Sequence, residues 1–362
     1  MTYIHKLKHF IGGRILKTGI AVFITALICE ALAWPAMFAV IAAIVTIEPT
    51  AANSIKKAFV RFPASGIGAG YAILFYMGFG DNPVTYTLVA LATIITCHKL
   101  HLDDGILVAT LTGVAMITTV HDHYLSSFLV RLGTTITGLS VSTLVNLLVL
   151  KPNYTPAISE KVRGLLKETG QLIERSGGAL IKGKMLANPR QTRLAFHKVV
   201  REVERVEDLC RYQKEEWKYH RYKRKDMRHF YYENRKLKIL TQLTYHVGNL
   251  IFIPSHKRIA DQDKSVLILS TTRTISGVLQ NDRYEMTEEH HQWMDRLFDQ
   301  LAERIPSSTE TDYHILSTDT VIFYELIAIN DLLEELAKIE HHAWKHRLAI
   351  AKHRAILKSA RH

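Results

Sequence analysis

Four charged residues stand inside otherwise apolar sequence: Lys17, Glu48, Arg61 and Arg131. A charge at membrane depth costs a few kcal/mol unless it is paired or faces water, so each marks a place where a charge is handled. The planar fork of Arg61 or Arg131 suits a carboxylate through two parallel donors, whereas Lys17 offers a point charge. Glu48 is the carboxyl group placed to exchange a proton. Pro49, next to it, breaks the helix and frees backbone groups toward a substrate. The expected chemistry is binding and passage of an organic anion, with Lys17, Arg61 and Arg131 on the substrate, Glu48 coupling to protons and Pro49 as the helix break. Lys17 and Arg61 also have a simpler use, snorkelling to inner headgroups. Arg131 falls on the face where cations are disfavoured, which calls for a partner such as Glu30 or Asp122, or an anionic ligand.

Other chemistries find less support. Gly178 to Met185 comes within one residue of a phosphate-binding loop, but it lacks the hydroxyl residue that would hold magnesium. The residues before it, Leu165 to Ile173, read as amphipathic helix where that loop needs a strand, so an ATP-driven pump is not expected. Cys97, His98, His101, Asp103 and Asp104 are ligand types, as are His121 and His123, without a spacing that favours a metal. Neither metal nor cofactor is expected, and no set of acid, base and nucleophile suggests an enzyme. Cys29, Cys97 and Cys210 are too few and too dispersed for a disulfide framework, which excludes a cystine-rich extracellular module.

The elements that must position these residues follow from an uneven charge distribution. Residues 1–150 carry 9 Lys and Arg and 6 Asp and Glu of the chain's 46 and 34, so two physical classes are fused. Apolar runs separated by short polar breaks predict six helices, at about 15–33, 35–50, 61–79, 83–98, 105–121 and 126–150, of which the second, fourth and fifth are short. Lys6, Lys8, Arg14 and Lys17, then Lys56, Lys57 and Arg61, then Lys99 and Lys151 fall on alternate sides, while the breaks at Trp34, Asp81 and Asp122 hold no Lys or Arg. The positive-inside rule then places both termini in the cytoplasm of a multi-pass protein of the cell (plasma or inner) membrane. Ala31 to Ala33 imitates a leader cleavage site, but losing the first helix would put the basic second half outside.

Phe59-Val60-Arg61, followed by Gly66 and Gly68, returns about seventy residues later as Leu129-Val130-Arg131, followed by Gly133 and Gly138. A three-helix unit repeated once runs in opposite directions, so the expected membrane domain is two inverted repeats with the short second and fifth helices equivalent. Gly66 and Gly70 have the small-xxx-small spacing of close helix packing.

After Lys151-Pro152 the pattern turns to charged amphipathic helices, giving an all-α chain with a transmembrane domain over 1–152 and a cytoplasmic helical bundle over 153–362. Val199, Val203, Val206 and Cys210 form one stripe and Leu326, Ile329, Leu333 and Leu336 another. Asp319 can cap a last helix reaching to about Ser359. The length of that stripe predicts a homo-oligomer joined through the second half. Arg211 to Tyr222 interleaves aromatics with cations; beside membrane spans this describes a lipid surface or acidic partner rather than nucleic acid.

Glu48-Pro49-Thr50, Ser54, Lys57, Arg61, Gly66 and Gly70, with Trp34-Pro35 upstream, resembles the pattern of the aromatic acid exporter family, related to fusaric acid resistance proteins. The likeness spans residues 10–150. The Arg211 to Tyr222 segment looks like the C-terminal cytoplasmic domain of the family's bacterial branch with a single membrane domain. The resemblance implies efflux of aromatic or other organic carboxylates by an oligomer. The sequence therefore predicts a secondary transporter exporting organic anions, whose partners are the small anion and the lipid bilayer. Two alternatives are a membrane-anchored scaffold with a helical partner-binding domain and a passive anion channel.

Overall fold

In the computed structural model, the described residues are 13–118, 124–181, 189–220, 222–254, 259–303 and 317–359, with side chains to 346 in the last stretch. The chain divides into two compact units, Met1–Asn153 with Tyr212–Arg221, and Tyr154–Arg211 with Tyr222–His362. The first contains α1 (Gly13–Ala31), α2 (Ala36–Thr46), α3 (Ala51–Phe79), α4 (Pro83–Lys99), α5 (Ile106–Ile117) and α6 (Tyr124–Leu148). Each apolar run of the sequence is thus a helix. The third, however, begins ten residues earlier than its hydropathy suggests. Thr50 caps it, its side chain accepting from the Asn53 amide at 3.1 Å, so Ala51 to Lys57 are the polar first turns of α3 and not a break.

At 1.5 Å per residue, the 11 and 12 residues of α2 and α5 span only about 16–18 Å. Both lie against the long helices. A Cβ on Gly68 of α3 would stand 2.1 Å from the Ala109 carbonyl oxygen of α5, and one on Gly138 of α6 would stand 2.2 Å from the Ala39 carbonyl oxygen of α2. Gly138 follows Gly68 by 70 residues, and Ala109 follows Ala39 by the same 70. Where α3 and α6 meet, Ser65 and Thr135, also 70 apart, join their hydroxyls at 3.2 Å. The expectation that Gly66 and Gly70 mark the close approach is corrected: Gly66 has an ordinary contact with Leu132 and Gly70 faces open space.

The unit's polarity runs from inside to outside in the reverse of a water-soluble core. Ser65, Thr93, Thr135, Arg61 and Arg131 are buried, while Phe23, Phe59, Leu125 and Leu148 are 66%, 78%, 72% and 71% exposed. Among the described residues, two helices, α3 and α6, are long and apolar enough to cross a membrane, and α2 is apolar but short.

The second unit is helical as well: α7 (Thr155–Ala179), most of α8 (Pro189–Glu216), α9 (Arg224–Ile251), α10 (Gln262–Gln280), α11 (Glu288–Ala302) and α12 (Thr318–Ser359). Periodic apolar stripes drive its assembly, and Val199, Val203, Val206 and Cys210 of α8 are buried as their spacing predicts. Leu326, Ile329, Leu333 and Leu336 are fully buried within this unit, which removes the open face from which an oligomer was expected. The last helix is capped by Ser317, whose hydroxyl accepts from the Thr320 amide at 3.3 Å. Asp319 sits instead in the first turn and pairs with Lys264 at 2.8 Å. Of the phosphate-loop look-alike, Gly178 and Ala179 end α7, and residues 182–188 lie outside the described residues. Lys236 is buried between Glu233 at 3.0 Å and Glu340 at 2.7 Å, beside Tyr284, whose hydroxyl burial and these carboxylates hold in the protonated form.

His290 of α11 is completely buried, with one ring nitrogen 2.9 Å from Asn330 Oδ1 of α12 and the other 3.1 Å from Thr274 Oγ1 of α10. Burial pushes its pKa down, the Asn330 bond opposing and His291 adding to the shift. A depressed histidine binds fewer protons folded than unfolded, so stability is full above about pH 6.5 and falls below it, by at most about 1.4 kcal/mol per pH unit. Thermal unfolding of the purified protein at pH 8 and pH 5 should show this loss, and His290→Gln should reduce it; an equal loss in the variant would remove His290 as its source.

Candidate functional site

Arg131 projects from α6 among α2 and α5 residues and is 7% exposed. Its guanidinium carbon lies 3.5 Å over the centroid of Phe38, a cation–π stack. Among the described residues its Nε and Nη1 have no hydrogen-bond partner. A buried charged donor left unmade costs several kcal/mol, so the fork has free capacity for an acceptor. Beside it is a cavity of about 160 Å³ lined by Pro35, Phe38, Met116, Ser127 and Thr134. At about 30 Å³ per water, that space admits the head of a carboxylate and not a whole drug-sized molecule. Glu30 is exposed and forms no ion pair with Arg131, and Asp122 lies outside the described residues.

Arg61, the residue 70 positions earlier, is buried to the same degree but occupied. Its Nη2 donates to Glu48 Oε1 at 3.0 Å, Nη1 to the Val45 carbonyl at 3.1 Å and Nε to the Asp104 carbonyl at 3.2 Å. Lys57 joins from the next turn, 3.3 Å from Glu48 and 3.5 Å from Asp104. One turn of chain between α2 and α3 therefore supplies the carboxylate that Arg61 needs. Seventy residues after Glu48 stands Thr118, whose hydroxyl bonds the Ala115 carbonyl and carries no charge. At this 70-residue offset Arg131 stands where Arg61 does, with Thr118 in place of Glu48. Pro49 follows Glu48 in that same turn, beyond the end of α2 at Thr46.

Lys17 of α1 is buried and donates to Asn146 of α6, at 2.9 Å to Oδ1 and 3.2 Å to the carbonyl. The Asn146 amide in turn faces the carbonyls of Glu48 and Thr50 at 3.0 and 3.1 Å and the Ser54 hydroxyl at 2.7 Å. The Glu48 and Thr50 carbonyls after α2 are thus met by one side chain. Sequence reading passed over Asn146, whose only signal is an amide in the last turn of an apolar helix, and Phe38, which looks like any apolar span residue. Of the ligand types near residue 100, His98 pairs with Asp103 at 2.9 Å while Cys97 packs in a small core with Ala64 and Ala109. His121 and His123 lie outside the described residues.

From Arg211 to His220, Lys214, Lys218 and Tyr219 are exposed, but Gln213, Glu216 and His220 are buried and the segment from Tyr212 groups with the first unit. The aromatic and basic pattern is therefore not a surface throughout: three of the ten residues from 211 to 220 are buried.

The first unit also coincides with a likeness to known proteins. A family model described as aromatic acid exporter family member 1 matches residues 9–149. A UPF0421 protein of Bacillus cereus is 42% identical over 343 residues, covering 91% of this chain and 94% of that protein. A UPF0421 protein of Oceanobacillus iheyensis is 39% identical over 333 residues, with 91% and 96% covered, and one of Staphylococcus haemolyticus 36% over 280, with 77% and 84% covered. With such identity along nearly the full length and the family's own model over the six apolar helices, the chain belongs to the aromatic acid exporter family.

Proposed function

We propose that this protein is a multi-pass secondary transporter of the cell membrane that exports organic, aromatic-carboxylate anions, with both termini cytoplasmic. The observation that carries this reading is Arg131: buried, stacked on Phe38, without a hydrogen-bond partner among the described residues on two of its nitrogens, and facing a small cavity. The apolar exterior and polar interior of the first unit support a bilayer around it. The 70-residue correspondence of Gly68 with Gly138 and Ala109 with Ala39 supports two inverted repeats, with α2 and α5 as short paired helices next to the substrate. In this reading the substrate carboxylate supplies Arg131 with what Glu48 supplies to Arg61. Arg61 and Lys17 act through the partners that hold them, and Glu48 is the carboxylate whose protonation would release Arg61 and Lys57 together.

Efflux of a panel of weak aromatic acids from cells lacking the chromosomal copy tests the assignment. Arg131→Lys should insert normally and export at least about tenfold more slowly, because lysine loses the two parallel donors, with Arg131→Ala slower still. Export by both variants at the parent rate would overturn Arg131 as the anion site. Collapse of the parent's export by a protonophore separates a coupled carrier from a passive channel.

A further inference from the structure

Residues 212–220 follow α6 by more than sixty positions, yet they close over the ends of two helices of the first unit. Glu216 Oε1 accepts from the Ala51 amide at 2.7 Å and Glu215 Oε2 from the Thr50 hydroxyl at 2.9 Å, both at the start of α3. An anion there meets free amides and the positive end of the helix dipole. His220 then joins Glu216 to α6: Nδ1 lies 2.7 Å from Glu216 Oε2 and Nε2 lies 2.7 Å from the Leu147 carbonyl oxygen. Glu216 is 1% and His220 7% exposed.

Proton counting makes this contact conditional. A carbonyl oxygen only accepts, so Nε2 must carry a hydrogen to bond Leu147. The 2.7 Å contact between Nδ1 and Oε2 needs another, held by either the imidazole or the carboxyl group. Without it, a lone pair would face a carboxylate at hydrogen-bond distance. The charged groups around the pair are Lys17 of α1, within Coulombic reach of Glu216, Glu215 on the same turn, and Glu48 of the α2–α3 turn, itself engaged by Arg61 and Lys57. Leu147 contributes only backbone from α6, and Lys214 and Lys218 are exposed.

We propose that Glu216 and His220 form a proton-binding site that latches residues 212–220 across the start of α3 and the end of α6, and that loss of this one proton releases the latch. The latch does not depend on the transport reading. Wherever the open segment sheds this proton and the closed one keeps it, the closed state weakens as pH rises, by up to tenfold per pH unit. Because α8 runs unbroken from Pro189 to Glu216, the latch lies on the covalent continuation of the helical unit.

The full-length protein carrying spin labels at Leu148→Cys and Lys218→Cys reports the latch, since both positions are exposed and the three native cysteines are buried. Pulsed dipolar spectroscopy should give one short distance at pH 6 and a second, longer population at least several-fold larger at pH 8.5. Adding Glu216→Gln should hold the short distance at both values, because the amide still accepts from Ala51 and donates to a neutral Nδ1. Adding His220→Ala should give the long population at both. A parent distribution unchanged between pH 6 and 8.5, or a Glu216→Gln variant that opens as the parent does, would overturn the proposal.

Discussion

Gly68→Ala is expected to prevent folding of the first unit, and Gly70→Ala, two residues away, to leave it intact. The added carbon at 68 would lie 2.1 Å from the Ala109 carbonyl oxygen, a backbone atom in the middle of α5 that cannot rotate away. Relief requires α3 and α5 to part, which also separates Ser65 from Thr112, now 3.3 Å apart. Overpacking of a flexible contact costs about 1–3 kcal/mol, and a contact between two helix backbones belongs above that range. At Gly70 nothing lies within 4 Å, so alanine there meets no clash and gains roughly 0.5–1 kcal/mol of helix propensity. Gly138→Ala should match Gly68→Ala, since its Cβ would meet the Ala39 carbonyl oxygen at 2.2 Å. Expression with monodispersity by size-exclusion chromatography, followed by thermal unfolding, separates the three. A Gly68→Ala protein as stable as Gly70→Ala would mean that α3 and α5 do not approach as described.

This contrast also marks how far the sequence was legible. Apolar runs located the helices of the first unit because helices of that composition have few polar residues to interrupt them. They failed at the start of α3, where Asn53, Lys56 and Lys57 look like a loop; the capping hydroxyl of Thr50 was the available signal. Spacing alone picked Gly66 and Gly70 from the glycine-rich helix, because it cannot say which face meets a neighbour. Aligning the repeats at a strict offset of 70 would have picked Gly68 through Gly138, and would have set Thr118 opposite Glu48.

Arg131 was visible as a charge out of place, and two of its nitrogens have no hydrogen-bond partner among the described residues. The pairing of Arg61 with Glu48 was not visible, since it depends on the turn after α2 bringing residues 13 apart into contact. The latch had no local signal. Its contacts with Thr50, Ala51 and Leu147 span 165, 165 and 73 positions, and only the folded chain brings them together.

Glu48→Ala should destabilise the protein by about 3–5 kcal/mol, while Arg131→Met should leave its stability unchanged or raise it. Glu48 holds two cations on one oxygen, and of these Arg61 is 6% exposed, so removing the carboxylate strands a buried guanidinium. The Val45 and Asp104 carbonyls still accept from it but do not cancel its charge. Lys57→Ala should cost under about 1 kcal/mol, because its side chain is 28% exposed and water replaces much of the pair. Removing Arg61 together with Glu48 should cost less than the two single changes added, by about 1–3 kcal/mol, the mark of directly coupled residues. Arg131 is the converse case: its charge is buried with no pairing carboxylate among the described residues, so methionine loses the Phe38 cation stack but sheds an uncompensated guanidinium. The two arginines, seventy residues apart, would then respond oppositely, one as a strut whose loss unfolds the unit and the other as a site whose loss silences export in a stable protein. Thermal unfolding of the five variants beside their efflux measures both. Equal destabilisation by Arg131→Met and Glu48→Ala would show that Arg131 is a structural residue.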